Sequence, residues 1–581
     1  MVKRISKTGL GVIEFNDSDS KVNVLSAVNL DKLESILTET SLNPNGVKAV
    51  FFISAKKDIF IAGADIKELA SIRTKESALR LCAKGQAICN RIEQLPFTTF
   101  AVVDGACIGG GLELALSCDY ILATANRKTR IGFPEARLKI SPGFGGVHRL
   151  KERIGVKKAA RLIETGQLLS GREAKKTGIV DRLISERTAS DYKKLSGFAG
   201  WRKRSIPEAR HEFDIQEREA LAEKIVQAPA KNALSAFLMV TKYKNHTLAE
   251  DDAEHGLKSC AIIGAGTMGR DIAYLVSSTT RLTVNIIDVN EIVLKNARIY
   301  IDSIYREAVK KDILARNEAR KGRDRISFNK SGLEDCDIVI ECVPEDLQLK
   351  KQVFLDIEKK LKPDCVIASN TSCLSIEELG RSLTRPGRFI GAHFFNPAYK
   401  MKLVEVARAG FTDSITANKI RGFLQAMRRT PVMVKDSPGF LINRMLLPYL
   451  NEAAFMIEEG FSSRDIDSAM VDFGMPEGPI ELIKDIGMDT TYKASMVLRD
   501  RCGSRIKVAE SLKSWTETKK ISSGKTVKQA ENNTIVQRLL EPMKREAELC
   551  ASEGVADNQE VIDLALLLGA GFPASKRIWD T

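Results

Sequence analysis

No run of this sequence reaches the ~18 uncharged apolar residues that a membrane-spanning helix needs, so a helical membrane protein is excluded. Met1 to Phe15 alternates like a strand and lacks the apolar core of a secretion signal. The last residues, Ile578-Trp579-Asp580-Thr581, do not form a Ser-Lys-Leu address. CxxC spacing is also missing, although the chain has 11 cysteines. That argues against a disulfide framework and a cysteine metal centre, and no metal site is expected. Cys107, Cys260 and Cys342 lie in apolar runs and read as buried, reduced thiols of a cytoplasmic protein. Aromatics are few, at 6%, and acids are outnumbered: 75 Asp plus Glu against 89 Lys plus Arg, a formal net charge of +14. The excess favours polyanionic partners: nucleic acid, an anionic membrane surface, or phosphate-bearing small molecules. Nucleic acid would call for a broad basic stripe with interleaved aromatics, so none is expected. Arg316 to Arg325 and Trp201-Arg-Lys-Arg204 read foremost as solvated faces.

What is present fits a globular chain of several domains, since 581 residues with 44% hydrophobic and 28% charged content exceed one core. Residues 1–185 alternate strands and helices: Gly9 to Phe15, Val47 to Ile53 and Phe100-Ala-Val-Val are strand-like, and Leu112 to Cys118 is helical. Residues 186–257 are highly charged and interrupted by Pro207 and Pro229, and read as a helical linker with one packed helix at Ala233 to Val240. Residues 258–436 return to strand–helix alternation, which implies a parallel sheet covered on both faces. Residues 437–525 are helical. A second, shorter helical copy follows at 526–581, because Arg444-Met-Leu-Leu-Pro-Tyr-Leu-Asn-Glu-Ala recurs as Arg538-Leu-Leu-Glu-Pro-Met-Lys-Arg-Glu-Ala.

The clearest motif is Gly264-Ala-Gly266-Thr-Met268-Gly269, a GxGxxG between an apolar strand and a helical run. Gly264 permits the tight turn, Gly266 lets backbone approach a pyrophosphate, and Gly269 lets helix and strand pack closely. Met268 falls within the same phosphate-facing turn. A second strand ends in Asp288, 19 residues after Gly269, where an acid would hydrogen-bond a ribose hydroxyl and repel a 2′-phosphate. The expected cofactor is NAD rather than NADP.

Of five histidines, His148, His211, His246 and His255 sit in polar or mixed surroundings, whereas His393 ends an apolar strand. Glu405 lies inside the next strand-like run, Leu403-Val-Glu-Val. A buried Glu needs a partner, and a desolvated imidazole gains basicity from an acid. A His393–Glu405 pair satisfies both and makes a base suited to neutral pH. With Ser369-Asn-Thr-Ser372, Lys402-Leu-Val-Glu405 and Asp436-Ser-Pro-Gly-Phe-Leu-Ile-Asn443-Arg, these residues resemble the L-3-hydroxyacyl-CoA dehydrogenase family over about 258–500. The resemblance implies that His393 removes a 3-hydroxyl proton while hydride leaves C3 for NAD, that Glu405 orients His393, and that Ser372 and Asn443 bind substrate. It also places Glu345, Lys350 and Ser372 near the cofactor. Gln537 stands where Asn443 would recur, so the second helical copy is expected to be structural.

The first domain offers two acids beside glycine-rich turns: Glu113 in Gly109-Gly-Gly-Leu-Glu and Glu135 in Ile131-Gly-Phe-Pro-Glu. Paired acids hold water and move its protons, and a helix beginning near Gly110 favours a developing oxyanion. With Ala62-Gly-Ala64-Asp-Ile-Lys-Glu and Pro134-Glu-Ala-Arg-Leu-Lys-Ile-Ser-Pro-Gly-Phe-Gly-Gly, they resemble the enoyl-CoA hydratase/isomerase (crotonase) family over about 10–185. The resemblance implies that the Ala64 and Gly110 N–H groups hold a thioester oxygen, and that Glu113 and Glu135 add water or shift a double bond.

The order of domains resembles the multifunctional fatty-acid oxidation family, α subunits of a complex, with a shortened linker and C-terminus. The implied fold is α/β: a crotonase-like domain, a Rossmann-type NAD-binding domain and two all-helical repeats. The implied function is hydration of trans-2-enoyl-CoA followed by oxidation with NAD, with acyl-CoA thioesters as substrates and a thiolase subunit as partner. The CoA phosphates and NAD would account for the net positive charge, and peripheral contact with an anionic membrane surface stays open. Two rival expectations are an isomerase/dehydrogenase of another acyl-CoA pathway, and a scaffold or RNA-binding protein with vestigial sites.

Overall fold

A computed structural model describes residues 1–5, 9–18, 20–42, 46–189, 192–204, 211–245, 256–329, 332–521, 528 and 530–581. Pro207, His246 and His255 lie outside the described residues. The chain forms two compact units, Met1–Leu238 and Met239–Thr581.

The first unit is built on a six-stranded sheet in the order Val2–Ile5, Leu10–Phe15, Ala49–Ser54, Thr98–Val103, Tyr120–Thr124, Arg182–Ile184. Only the first pair is antiparallel. The β-branched and aromatic runs that form the central strands are buried, as parallel strands covered on both faces require. A smaller parallel sheet of Ile59–Ile61, Ala106–Ile108 and Arg130–Gly132 carries the glycine-rich turns. The helix Gly110–Leu116 starts after Gly109, whose φ is +55°. It packs against the small sheet so closely that a Cβ on Gly111 would lie 2.3 Å from the Ile61 carbonyl oxygen. Only glycine allows that approach.

The stretch expected to be a linker, 186–257, folds into the first unit as far as Leu238. The turn Tyr192–Phe198 and Trp201 cover the outer face of the large sheet, where Trp201, Phe198 and Tyr120 surround Phe100. The helices His211–Ile225 and Ala228–Asn245 place Leu221, Ala222, Ile225, Ala230 and Leu234 in a core with Leu69, Ala78 and Ile140. The charge density of this stretch hides those apolar positions. Pro229 does not break a helix, because it lies in the first turn, where its missing N–H costs nothing.

The second unit holds an eight-stranded sheet in the order Ile326–Phe328, Thr283–Ile287, Ser259–Ile263, Ile338–Glu341, Val366–Ser369, Phe389–Phe394, Leu403–Arg408, Thr430–Lys435. All neighbours are parallel except the pair 389–394 and 403–408. The chain starts at Ser259–Ile263 and builds outward both ways, which opens a crevice at the carboxyl ends of that strand and Ile338–Glu341. From Ile442 onward the elements of the described residues are all helices. The helices Ile442–Glu458 and Asn532–Ser552, the two copies of the repeat, each contain an internal proline, Pro448 and Pro542, and share one core.

A buried ion pair ties the copies together. Arg444 Nε donates to Glu546 Oε2 at 3.0 Å, and Nη1 lies 2.7 Å from Glu553 Oε2. Removing one partner of such a pair leaves a charge in a dry interior. Glu546→Ala is expected to destabilise the second unit by about 3 kcal/mol, read as a lower urea midpoint. A change under about 0.5 kcal/mol would show that Glu553 and Ser437 satisfy Arg444 without it.

Candidate active sites

In the first unit Ala64, Gly110, Glu113 and Glu135 line one cavity of about 590 Å³ of empty space, open to solvent, whose apolar wall includes Ile66, Leu69, Leu81, Ile140 and Leu221. Glu113 projects from the helix Gly110–Leu116 and is 2% exposed. Its Oε1 accepts from the backbone N–H groups of Phe144 at 2.7 Å and Gly146 at 2.9 Å. Glu135 sits in the turn Pro134–Leu138, with Oε2 buried and free of any hydrogen bond. A Cβ on Gly109 would lie 2.6 Å from Glu135 Oε1, so glycine there makes room for the acid. Among the described residues neither the Ala64 nor the Gly110 N–H donates to a protein acceptor. The site therefore combines two acids with two unused donors, as charge development on a carbonyl oxygen requires.

Burial pushes the Glu113 carboxyl up to about 8, helped by the charge of Glu217 and opposed by the two backbone N–H groups. Burial also pushes Glu135 up to about 8, with the charge of Glu113 second. Two such acids titrate as a coupled pair, the ionisation of one making that of the other harder.

The loop behind Glu113 is held by side chains that the sequence reading did not select. Arg149 Nη1 donates to the carbonyls of Phe144 and Gly145, and its Nε and Nη2 grip Glu93 at 3.0 Å each. His148 and Glu217 meet at 3.0 Å. Residues 146–154 look amphipathic and ordinary in sequence, and Glu217 lies in the expected linker, so no motif marked them.

In the second unit antiparallel register sets His393 directly opposite Glu405. Nδ1 of His393 and Oε2 of Glu405 are 2.7 Å apart. Glu405 is fully buried, and its Oε1 accepts from the N–H groups of Leu441 and Ile442 at 3.0 and 2.8 Å, at the start of the helix Ile442–Glu458. Phe395 and Phe440 flank the imidazole. Asn443, on the same helix, donates from Nδ2 to the Ser372 carbonyl at 3.0 Å. Ser372 donates from N and Oγ to Glu345 Oε1 at 2.8 and 3.1 Å.

Lys350, 1% exposed, lies 2.7 Å from Glu341 Oε1 and 3.3 Å from Glu345 Oε2. Burial alone would lower its pKa, but the two carboxylates outweigh that and raise it. Glu345 is held below its usual range: burial pushes up, while Lys350, Thr371 and Ser372 pull down more strongly. Glu341 was missed from the sequence, yet like Glu405 it is an acid within an apolar strand.

The cofactor turn has the parts that a dinucleotide needs. A Cβ on Gly264 would lie 2.7 Å from the Cys342 carbonyl oxygen, and one on Gly269 1.9 Å from the Gly264 oxygen. Gly266 faces open space and begins the helix Thr267–Thr279 without a side-chain cap, which leaves its first N–H groups for an anion. Met268 packs partly against the core, so its contribution to the turn is backbone. Asp288 accepts from the N–H groups of Ala265 and Asn290 at 2.8 Å each, and a carboxylate so held still has lone pairs for a ribose hydroxyl.

Fold and sites define an acyl-CoA enzyme with a hydration site and an NAD-dependent dehydrogenation site. The enoyl-CoA hydratase/isomerase family matches residues 6–249, the 3-hydroxyacyl-CoA dehydrogenase NAD-binding domain 259–437, and the C-terminal domain of the same dehydrogenases 439–529. The chain is 30% identical over 632 residues to a fatty acid oxidation complex subunit alpha of Vibrio cholerae, covering 95% of this chain and 89% of the relative. It is also 30% identical over 651 residues to that of Vibrio campbellii, covering 98% and 92%. The chain belongs to the family of fatty acid oxidation complex α subunits. Among solved structures, a 3-hydroxybutyryl-CoA dehydrogenase of Escherichia coli K12 shares the fold with a TM-score of 0.50, at 22% identity over 55% of this chain and 89% of that one. The match to residue 249 agrees with a first unit that takes in the helices of the expected linker.

Glu113 and Glu135 hold protons in the fold that they would release at ordinary carboxylate pKa values when unfolded. The stability they contribute is therefore present at low pH and is lost as pH rises through about 8. Between about pH 6 and about pH 9 the melting temperature of the first unit is expected to fall more in the wild type than in the Glu113→Gln/Glu135→Gln double variant. Equal slopes in calorimetry would contradict the raised values.

Proposed function

We propose that the first unit hydrates trans-2-enoyl-CoA to L-3-hydroxyacyl-CoA and that the second oxidises this product to 3-ketoacyl-CoA. The observation that carries the first step is two buried carboxyls facing one cavity beside two unused backbone donors. The Ala64 and Gly110 N–H groups bind the thioester oxygen as negative charge develops on it. Glu113 and Glu135 orient a water between them. Its oxygen bonds to C3, one acid takes its proton, and the other gives a proton to C2.

The second step rests on the His393–Glu405 pair at 2.7 Å. Neutral His393 accepts the 3-hydroxyl proton at Nε2, since Nδ1 is engaged by Glu405. Glu405 fixes the ring and stabilises its positive charge. Bound NAD supplies the hydride acceptor for C3. Gly264, Gly266, Met268, Gly269 and Asp288 would hold the dinucleotide, with Glu345, Lys350 and Ser372 beside it. Ser372 and Asn443 position the substrate.

The relatives' name, subunit alpha of a complex, supports a partner subunit, which we read as a thiolase that consumes the 3-ketoacyl-CoA. All 11 cysteines are free thiols, nine of them buried, which supports a reducing, cytoplasmic setting. Among the described residues no helix is long and apolar enough to cross a membrane.

Glu113→Gln or Glu135→Gln is expected to lower hydration of crotonyl-CoA by about 10²–10⁴-fold and leave oxidation of 3-hydroxybutyryl-CoA unchanged. His393→Gln should do the reverse. Unchanged oxidation in His393→Gln would overturn the dehydrogenase assignment.

A further inference from the structure

The helix Gly146–Ile154 starts at Gly145 and has no cap from its own sequence. Two carboxylates from other parts of the first unit divide its free N–H groups. Glu113 takes Gly146. Glu217, on the helix His211–Ile225, takes the next two: Oε2 accepts from Val147 at 3.2 Å and Oε1 from His148 at 2.8 Å. The same Oε1 lies 3.0 Å from His148 Nδ1, and Asp214 Oδ1 is 3.6 Å from that nitrogen. Glu217 is 8% exposed and is not among the residues that line the cavity. It faces protein rather than substrate.

We propose that Glu217 is a positioning residue of the hydration site: it occupies the helix N-terminus that Glu113 also uses, and so sets the pH range over which the acid pair works. The inference rests on Glu113 and Glu135 being the hydration acids. A helix N-terminus carries about half a unit of positive charge and by itself favours an ionised Glu113. Glu217 spends that potential and adds a negative charge, which favours a protonated Glu113. Its carboxylate also pins Val147 and His148, and with them the loop whose Phe144 and Gly146 N–H groups orient Glu113.

His148 is the titratable side chain that Glu217 touches, Nδ1 to Oε1 at 3.0 Å. Glu135 lines the same cavity as Glu113. Arg149 is engaged by Glu93 and works in the opposite sense to Glu217 on Glu113. Cys82 and Cys89, on the helix Lys75–Gln94, are neutral thiols pushed up to about 12 by burial. Asp214 and Arg218 flank Glu217 on its own helix.

The test is the pH profile of crotonyl-CoA hydration, followed as loss of the enoyl absorbance, for the full-length wild type, Glu217→Gln and Glu217→Asp. Removing the charge should move both limbs of the Glu217→Gln profile to lower pH by about one unit. Glu217→Asp keeps the charge on a shorter arm, so its limbs should stay in place while the rate falls. Oxidation of 3-hydroxybutyryl-CoA should be unchanged in both variants. Unmoved limbs in Glu217→Gln would overturn the proposal and leave the acid pair standing. An equal loss at every pH in both variants, or loss of cooperative melting of the first unit, would make Glu217 a structural cap only and equally overturn it. Absence of hydration in the wild type would remove the acid-pair reading itself, and this proposal with it.

Discussion

In each unit a buried carboxylate is clamped by two backbone N–H groups at the start of a helix, and the chemistry is arranged around that clamp. Glu113 is held by Phe144 and Gly146, and Glu405 by Leu441 and Ile442. An uncompensated buried carboxylate costs several kcal/mol, so each must find donors or lose its charge. Backbone donors suit this role because they cannot turn away, and a helix supplies them unpaired in its first turn. The clamp leaves one oxygen of each Glu for function: toward the cavity in the first unit, and toward His393 in the second.

The same device is set among different neighbours in the two units. Burial, and after it the charge of Glu217, pushes the Glu113 carboxyl up to about 8. Two acids that share protons suit the addition of water, which needs a proton removed and a proton given in one event. Glu405 faces the His393 imidazole, which gains a proton in the reaction we propose. The second unit repeats the logic at Lys350, where Glu341 and Glu345 hold an almost fully buried ammonium in place.

Much of both sites was legible in the sequence because their residues cluster in short segments. GxGxxG with a later acid, the His393 and Glu405 strands, and the glycine-flanked Glu113 and Glu135 are local patterns whose spacing reflects turn and strand geometry. The internal repeat was legible for the same reason. What was not legible acts across long sequence distances. Glu217 reaches the loop at 144–148 only through tertiary packing, and Arg149 and Glu93 are ordinary helix charges until burial brings them together. The helices after residue 186 looked like a linker because their few apolar positions are diluted by charge, yet Leu221 closes one wall of the cavity. Glu341 was visible in principle: an acid at the end of an apolar strand is a warning that a cation lies nearby.

The central claim is that two complete sites on one chain act in sequence on one acyl-CoA. The most direct measurement is NADH absorbance after wild-type protein is mixed with crotonyl-CoA and NAD. That substrate has no hydroxyl group, so NADH requires hydration before oxidation. The account expects NADH to form with both reagents present and with neither alone. If 3-hydroxybutyryl-CoA were oxidised while crotonyl-CoA and longer enoyl-CoAs gave no NADH, the clamped acid pair would not be a hydration site and the account would be contradicted.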